Sequence, residues 1–158
     1  MEPFEHVVRR HGDVVLRVCR ALLGPADAQD AWQETFLAAL QAYPRLRRGS
    51  DVKAWLVTIA HRKAIDRLRA AGRHAVPVGD PPEVATMDDA ASFDVRLAAA
   101  IGELPAKQRT AVVARYVADL AYADVAAMLG GTEAAARRSA ADGIASLRSR
   151  LQEDHDDR

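Results

Sequence analysis

The stretch from 74 to 95 sets the first limit on how this chain can fold. It contains Pro77, Pro81, Pro82 and Gly79, with carboxylates at Asp80, Glu83, Asp88, Asp89 and Asp94 and no Lys or Arg. Prolines withdraw backbone donors and like charges repel, so no regular element should run through it. Apolar residues must then be buried in one piece before it and another after it. The expected division is a piece at 1–73, a flexible acidic linker at 74–94, a piece at 95–151 and a polar tail at 152–158.

Both pieces have a helical pattern. Phe4, Val7, Val8, Val14, Val15, Val18, Leu22 and Leu23 recur at spacings of three and four, which predicts a helix near 4–23. Gly24-Pro25 should stop it, with Asp27 capping a second helix that runs to about Ala42. Trp32, Phe36, Leu40 and Tyr43 are expected on one side of that helix. After a basic loop, Arg45 to Ser50, Asp51 should cap a third helix near 52–71, with Trp55, Ile59, Ile65 and Leu68 among its apolar members. In the second piece, a short helix through Leu97, Ile101 and Leu104 should end at Pro105. Helices near 106–118, 122–129 and 133–151 should follow. Hydrophobic residues are 49% of the chain and aromatics only 5%, so alanine and leucine dominate, as in an all-α fold. A single cysteine, Cys19, rules out a disulfide framework and a cysteine-based zinc site, and its apolar neighbours mark it as a core residue. The apolar runs fall short of the ~20 residues needed to cross a bilayer, and the start does not read as a signal peptide, so a cytoplasmic location without membrane insertion is expected.

The zero net charge conceals an asymmetry. Residues 1–75 hold 13 Lys/Arg against 8 Asp/Glu, and residues 76–158 hold 9 against 14. Between 45 and 73 there are nine basic residues against Asp51 and Asp66 alone. This predicts a polyanion-binding surface in the first piece, unless the charges only solvate a helix face. In the second piece, Tyr122 to Leu129, then Gly130-Gly131-Thr132, then a helix from Glu133, has the spacing of a helix-turn-helix. Gly130 can adopt positive φ after the first helix and Thr132 can cap the second. Asp30, Gln33 and Glu34, three and four apart, share one face of the second helix. His6, His11, His61, His74 and His155 lack metal-ligand spacing, and no phosphate loop, nucleophile elbow or carboxylate pair is present. No catalysis, metal or cofactor is expected.

These segments resemble a known family. Asp30-Ala-Trp-Gln33-Glu34-Thr-Phe36, Ala54-Trp55-Leu56-Val-Thr-Ile59-Ala60 and Ala64-Ile65-Asp66-Arg67-Leu68-Arg69 look like region 2 of the extracytoplasmic-function (ECF) RNA polymerase sigma factors. Leu104-Pro105-Ala-Lys-Gln-Arg109 and Tyr122 to Gly130 look like region 4. The resemblance implies a transcription initiation factor with two small helical domains, a region-2 bundle and a region-4 helix-turn-helix. It implies that Asp30, Gln33 and Glu34 dock on the clamp helices of the largest subunit of core RNA polymerase. It implies promoter DNA contacts from Arg47, Arg48, Lys53, Trp55, Arg62, Lys63, Arg67 and Arg69 at the −10 element. It implies DNA contacts from Arg109, Arg137 and Arg138 in region 4, and an anti-sigma factor as a partner. The chain departs from the family at Arg62, where Asn is common, and at Ser139 and Asp142, where arginines are usual. Two other readings therefore remain: a sigma-like interaction module with weakened promoter recognition, and an autonomous helix-turn-helix regulator.

Overall fold

The computed structural model describes residues 1–73 and 89–156. The expected linker at 74–88 lies outside the described residues, as do 157 and 158. The helices are α1 (Phe4–Leu23), α2 (Pro25–Ala42), α3 (Val52–Arg73), α4 (Asp89–Glu103), α5 (Ala106–Val112), α6 (Tyr122–Leu129) and α7 (Glu133–Asp156). A 3₁₀ turn at Tyr43–Arg45 follows α2, and a π-helical turn at Val113–Val117 extends α5.

Local chemistry accounts for most boundaries. Gly24 takes φ 78° and ends α1. Pro25, its φ already suited to a helix, starts α2 two residues before the expected Asp27 cap. Asp27 sits instead in the first turn, where its charge complements the helix dipole. Asp51 does cap α3, its Oδ1 accepting the Ala54 amide at 3.1 Å. Two expected boundaries are corrected. Residues 89–94, assigned to the linker, are the first turns of α4: the last proline before them is Pro82, and Ala90-Ala91 favours a helix. Residues 152–156, assigned to the tail, continue α7, since neither Gly nor Pro follows Gly143 to stop it.

In the first piece α1 packs on both α2 and α3. Val7, Val15, Val18, Cys19 and Leu22 of α1 meet Ala28, Ala31, Phe36 and Ala39 of α2 and Leu56, Val57, Ala60 and Ala64 of α3 in one buried cluster. Leu56, Val57, Ala60 and Ala64 supply the share of α3 in this core, while Trp55, Ile59, Ile65 and Leu68 are only half-buried around it. Leu40, expected on one side of α2 with Phe36, is exposed where Phe36 is buried. Trp32 fits close to α1 by donating its indole N–H to Gly12 O at 2.9 Å.

The second piece does not stand apart. α1 also packs against α4 and the π turn, so the apolar core continues through Ile101, Leu104, Val113 and Leu120. Within this piece α7 lies along α5, close enough that Gly143 is buried against Val112. Gly130 adopts φ 72° and the Gly131 amide returns to Ala126 O at 3.1 Å, the closure of a Schellman turn. Thr132 Oγ1 then accepts the Ala135 amide at 3.1 Å and caps α7.

Candidate nucleic-acid interface

The basic residues placed between 45 and 73 fall into four environments. Arg47 and Arg48 are exposed in the loop before α3. The loop turns at Gly49, φ 84°, and is tied by Ser50 Oγ donating to Arg47 O at 2.7 Å. Arg62 and Arg69 are exposed on α3, and Lys63 is half-buried. Arg67 faces α2, where its Nη2 donates to Glu34 Oε1 at 2.7 Å and lies 3.9 Å from Asp30 Oδ2. Helical spacing places it near Lys63 but cannot show that α2 supplies two carboxylates to this side of α3.

Lys53 and Trp55 are turned toward the second piece. Lys53 Nζ donates to the backbone oxygen of Asp119 at 3.3 Å, across to the second piece. Trp55, half-buried beside Tyr43, lines a cleft with Thr58, His61 and Arg62 whose other wall is Asp124, Ala127 and Met128 of α6. Both residues face the helix-turn-helix, because α3 and α6 approach each other in the tertiary fold.

On α2, Asp30 and Gln33 are exposed, while Glu34 is partly engaged with Arg67. Leu37 and Leu40, four and seven residues beyond Gln33, are 62% and 51% exposed. They extend the polar positions into a mixed apolar and polar strip. Leu37, at i+4 from Gln33 and outside the Trp32–Phe36 stripe, was the available signal for this strip, whereas the spacing had grouped Leu40 with Trp32 and Phe36.

In the second piece Arg137 and Arg138 are exposed in the opening turns of α7, and Asp142 is exposed farther along it. The Arg137 guanidinium carbon lies 4.4 Å from the centroid of the Tyr122 ring. Arg109 is placed elsewhere. It is half-buried on α5, facing His61, Ile65 and Arg69 of α3. His61 Nε2 and Thr110 Oγ1 are 2.9 Å apart in the same seam. Burial, reinforced by the nearby Arg109 charge, pushes the His61 pKa down to about 4, so the ring is neutral at pH 7.

Two family models match this architecture. Sigma-70 region 2 covers residues 7–74 and Sigma-70 region 4 covers residues 94–147. The ECF RNA polymerase sigma factor SigD of Mycobacterium tuberculosis is 37% identical over 138 residues, which are 78% of this chain and 65% of that protein. SigM of the same organism is 33% identical over 132 residues, 82% of this chain and 67% of that protein. The chain belongs to the ECF sigma factor family. It spans just under two thirds of the length of SigD. Among solved structures, CnrH in complex with the cytosolic domain of CnrY aligns at TM-score 0.76 and 25% identity, over 96% of this chain and 88% of that one. The sigma factor RpoE of Bartonella quintana, in complex with the anti-sigma factor NepR, shares the fold at TM-score 0.74 and 22% identity, over 94% and 96% of the two chains. The region-2 match takes in α1 to α3 of this ECF sigma factor, and the region-4 match opens within α4. No helix among the described residues is long and apolar enough to cross a membrane.

Proposed function

We propose that this ECF sigma factor is a transcription initiation factor that binds core RNA polymerase, directs it to specific promoters and opens them, without covalent chemistry of its own. The observation that supports this most is that a region-2 unit and a region-4 unit follow one another in a single chain. We assign 1–73 to polymerase and −10 element binding, and the helix-turn-helix of 95–151 to the −35 element. Asp30, Gln33 and the exposed Leu37 and Leu40 suit a clamp helix, offering charge, an amide and apolar area on one strip. Arg47, Arg48, Arg62, Lys63 and Arg69 suit the phosphates of melted DNA, which a positive groove tracks. Arg137 and Arg138 suit a major groove. Lys53 and Trp55 are half-buried and face α6, so separation of the two pieces would present them more fully to DNA. Since CnrH was solved with the cytosolic domain of CnrY, and RpoE of Bartonella quintana with the anti-sigma factor NepR, we also assign this chain a protein partner of the anti-sigma kind, met in the cytoplasm.

Reconstitution with core polymerase tests the reading. Wild type should co-purify with core and support promoter-dependent transcripts. Gln33→Lys with Leu37→Asp should lose both while the far-ultraviolet dichroism stays helical. Retained core binding by that variant would remove α2 from the docking role. The weaker reading, an interaction module with reduced promoter recognition, is kept by Asp142, whose exposed carboxylate repels phosphates from α7. Core binding without promoter-dependent transcription would favour it.

A further inference from the structure

Tyr122 opens α6 and is half-buried, with two guanidinium groups over its ring. The Arg137 carbon stands 4.4 Å from the ring centroid and the Arg115 carbon 5.0 Å. Arg115 is itself fixed: its Nη1 donates to Leu120 O at 3.0 Å and to Asp119 Oδ1 at 3.3 Å. The backbone that allows this is unusual. The π turn Val113–Val117 is followed by Asp119 in the left-handed region, φ 54°, and by the Leu120 amide returning to Ala114 O at 3.0 Å. That reversal brings Arg115 back over the first residue of α6. The Asp119 carboxylate also offsets one of the two positive charges gathered at the ring.

Arginine on an exposed helix samples many rotamers and must give them up to make a directed contact. A guanidinium already resting on an aromatic face has fewer to lose, and the ring quadrupole favours that resting place. Of the two arginines at the start of α7, Arg137 is the one over the ring. We propose that Tyr122 is a positioning residue for DNA recognition, holding the Arg137 guanidinium in the orientation from which it meets a base edge. This rests on the proposed reading of α7 as the DNA-reading helix. The ring is what acts, so phenylalanine serves and leucine does not.

The test uses the full chain with core polymerase, on promoter DNA recovered by the wild-type holoenzyme from a library randomised at its upstream element. Discrimination between that DNA and versions with single upstream changes is measured over a salt series. Arg137→Ala should lose about tenfold or more, the scale of one good arginine–base contact. Tyr122→Phe should match wild type. Tyr122→Leu should lose about two- to fivefold in discrimination, with an unchanged salt slope because no phosphate contact is removed. Tyr122→Leu added to Arg137→Ala should lose nothing more. In the free protein, the Arg137 side-chain protons should be shifted upfield by the ring in wild type and Tyr122→Phe but not in Tyr122→Leu, a readout independent of DNA. A full loss from Arg137→Ala with none from Tyr122→Leu overturns the positioning role and leaves the reading of α7 intact. Failure of Tyr122→Phe would assign the effect to the hydroxyl and overturn the stacking. No effect of Arg137→Ala would remove α7 as the reader, and the proposal with it.

Discussion

Arg67 of α3 donates to Glu34 of α2 at 2.7 Å, with Asp30 at 3.9 Å, so one guanidinium joins the face assigned to polymerase and the helix assigned to DNA. The geometry predicts that these residues are energetically coupled and that Arg67, engaged by α2, adds little to phosphate binding. Both side chains are partly exposed, at 30% and 44%, so screening keeps the coupling small. A double-mutant cycle with Glu34→Ala and Arg67→Ala should give a coupling of about 0.2–1 kcal/mol in urea unfolding. Arg67→Ala should also leave the salt slope of promoter binding nearly unchanged, whereas Arg69→Ala should lower it by about 0.7–0.9. Equal slopes for Arg67→Ala and Arg69→Ala would return Arg67 to the DNA interface.

His61 sits neutral between α3 and α5, its pKa pushed to about 4 by burial and by Arg109. The unfolded chain takes up this proton near pH 6.5, before the folded chain does. Stability is therefore full above about pH 6.5, falls as pH drops toward 4, and loses no more from this group below that. Replacing His61 with Gln should flatten the urea midpoint between pH 6.5 and 4.5 relative to wild type. A profile as steep as that of wild type would show that other groups set the pH dependence.

Gly143 is buried where a Cβ would stand 2.5 Å from Val112 Cγ2 and 3.3 Å from Gln108 O. Alanine improves helix propensity by about 1 kcal/mol, but overpacking in a close helix pair costs about 1–3 kcal/mol. Gly143→Ala should thus lower the melting temperature, and Val112→Ala in the same chain should recover part of the loss. A Gly143→Ala chain as stable as wild type would mean that α5 and α7 separate at little cost.

The charge distribution predicts that the first piece carries the larger share of DNA affinity. Residues 45–73 carry nine basic and two acidic residues, whereas 132–151 carry four and two. Reversing Arg62 and Lys63 to Glu should reduce open-complex formation more than reversing Arg137 and Arg138, which should chiefly blunt upstream discrimination. Asp142→Arg should tighten binding and steepen the salt slope by about one contact. Holoenzyme affinity over a salt series measures all three variants. If Arg137 and Arg138 prove the costlier pair, the main DNA contact lies in α7.

Local sequence chemistry determined the elements of this protein. The apolar spacing of Phe4 to Leu23 is that of α1, Asp51 caps α3, and Gly130 and Thr132 shape the turn of the helix-turn-helix, because each depends on neighbours a few residues away. The Asp30–Gln33–Glu34 face and the Arg137–Arg138 pair were legible for the same reason. Boundaries without a strong local stop were less so, and α4 and α7 run beyond the expected ends. Tertiary structure alone decided which charges are engaged. Arg67 meets Glu34 from 33 residues away, Lys53 meets Asp119 from 66 and His61 meets Thr110 from 49. Helical periodicity places a side chain on a face but says nothing of what packs against it. That depends on how α1 gathers both pieces into one core, where burial and shape rather than local spacing select the partner.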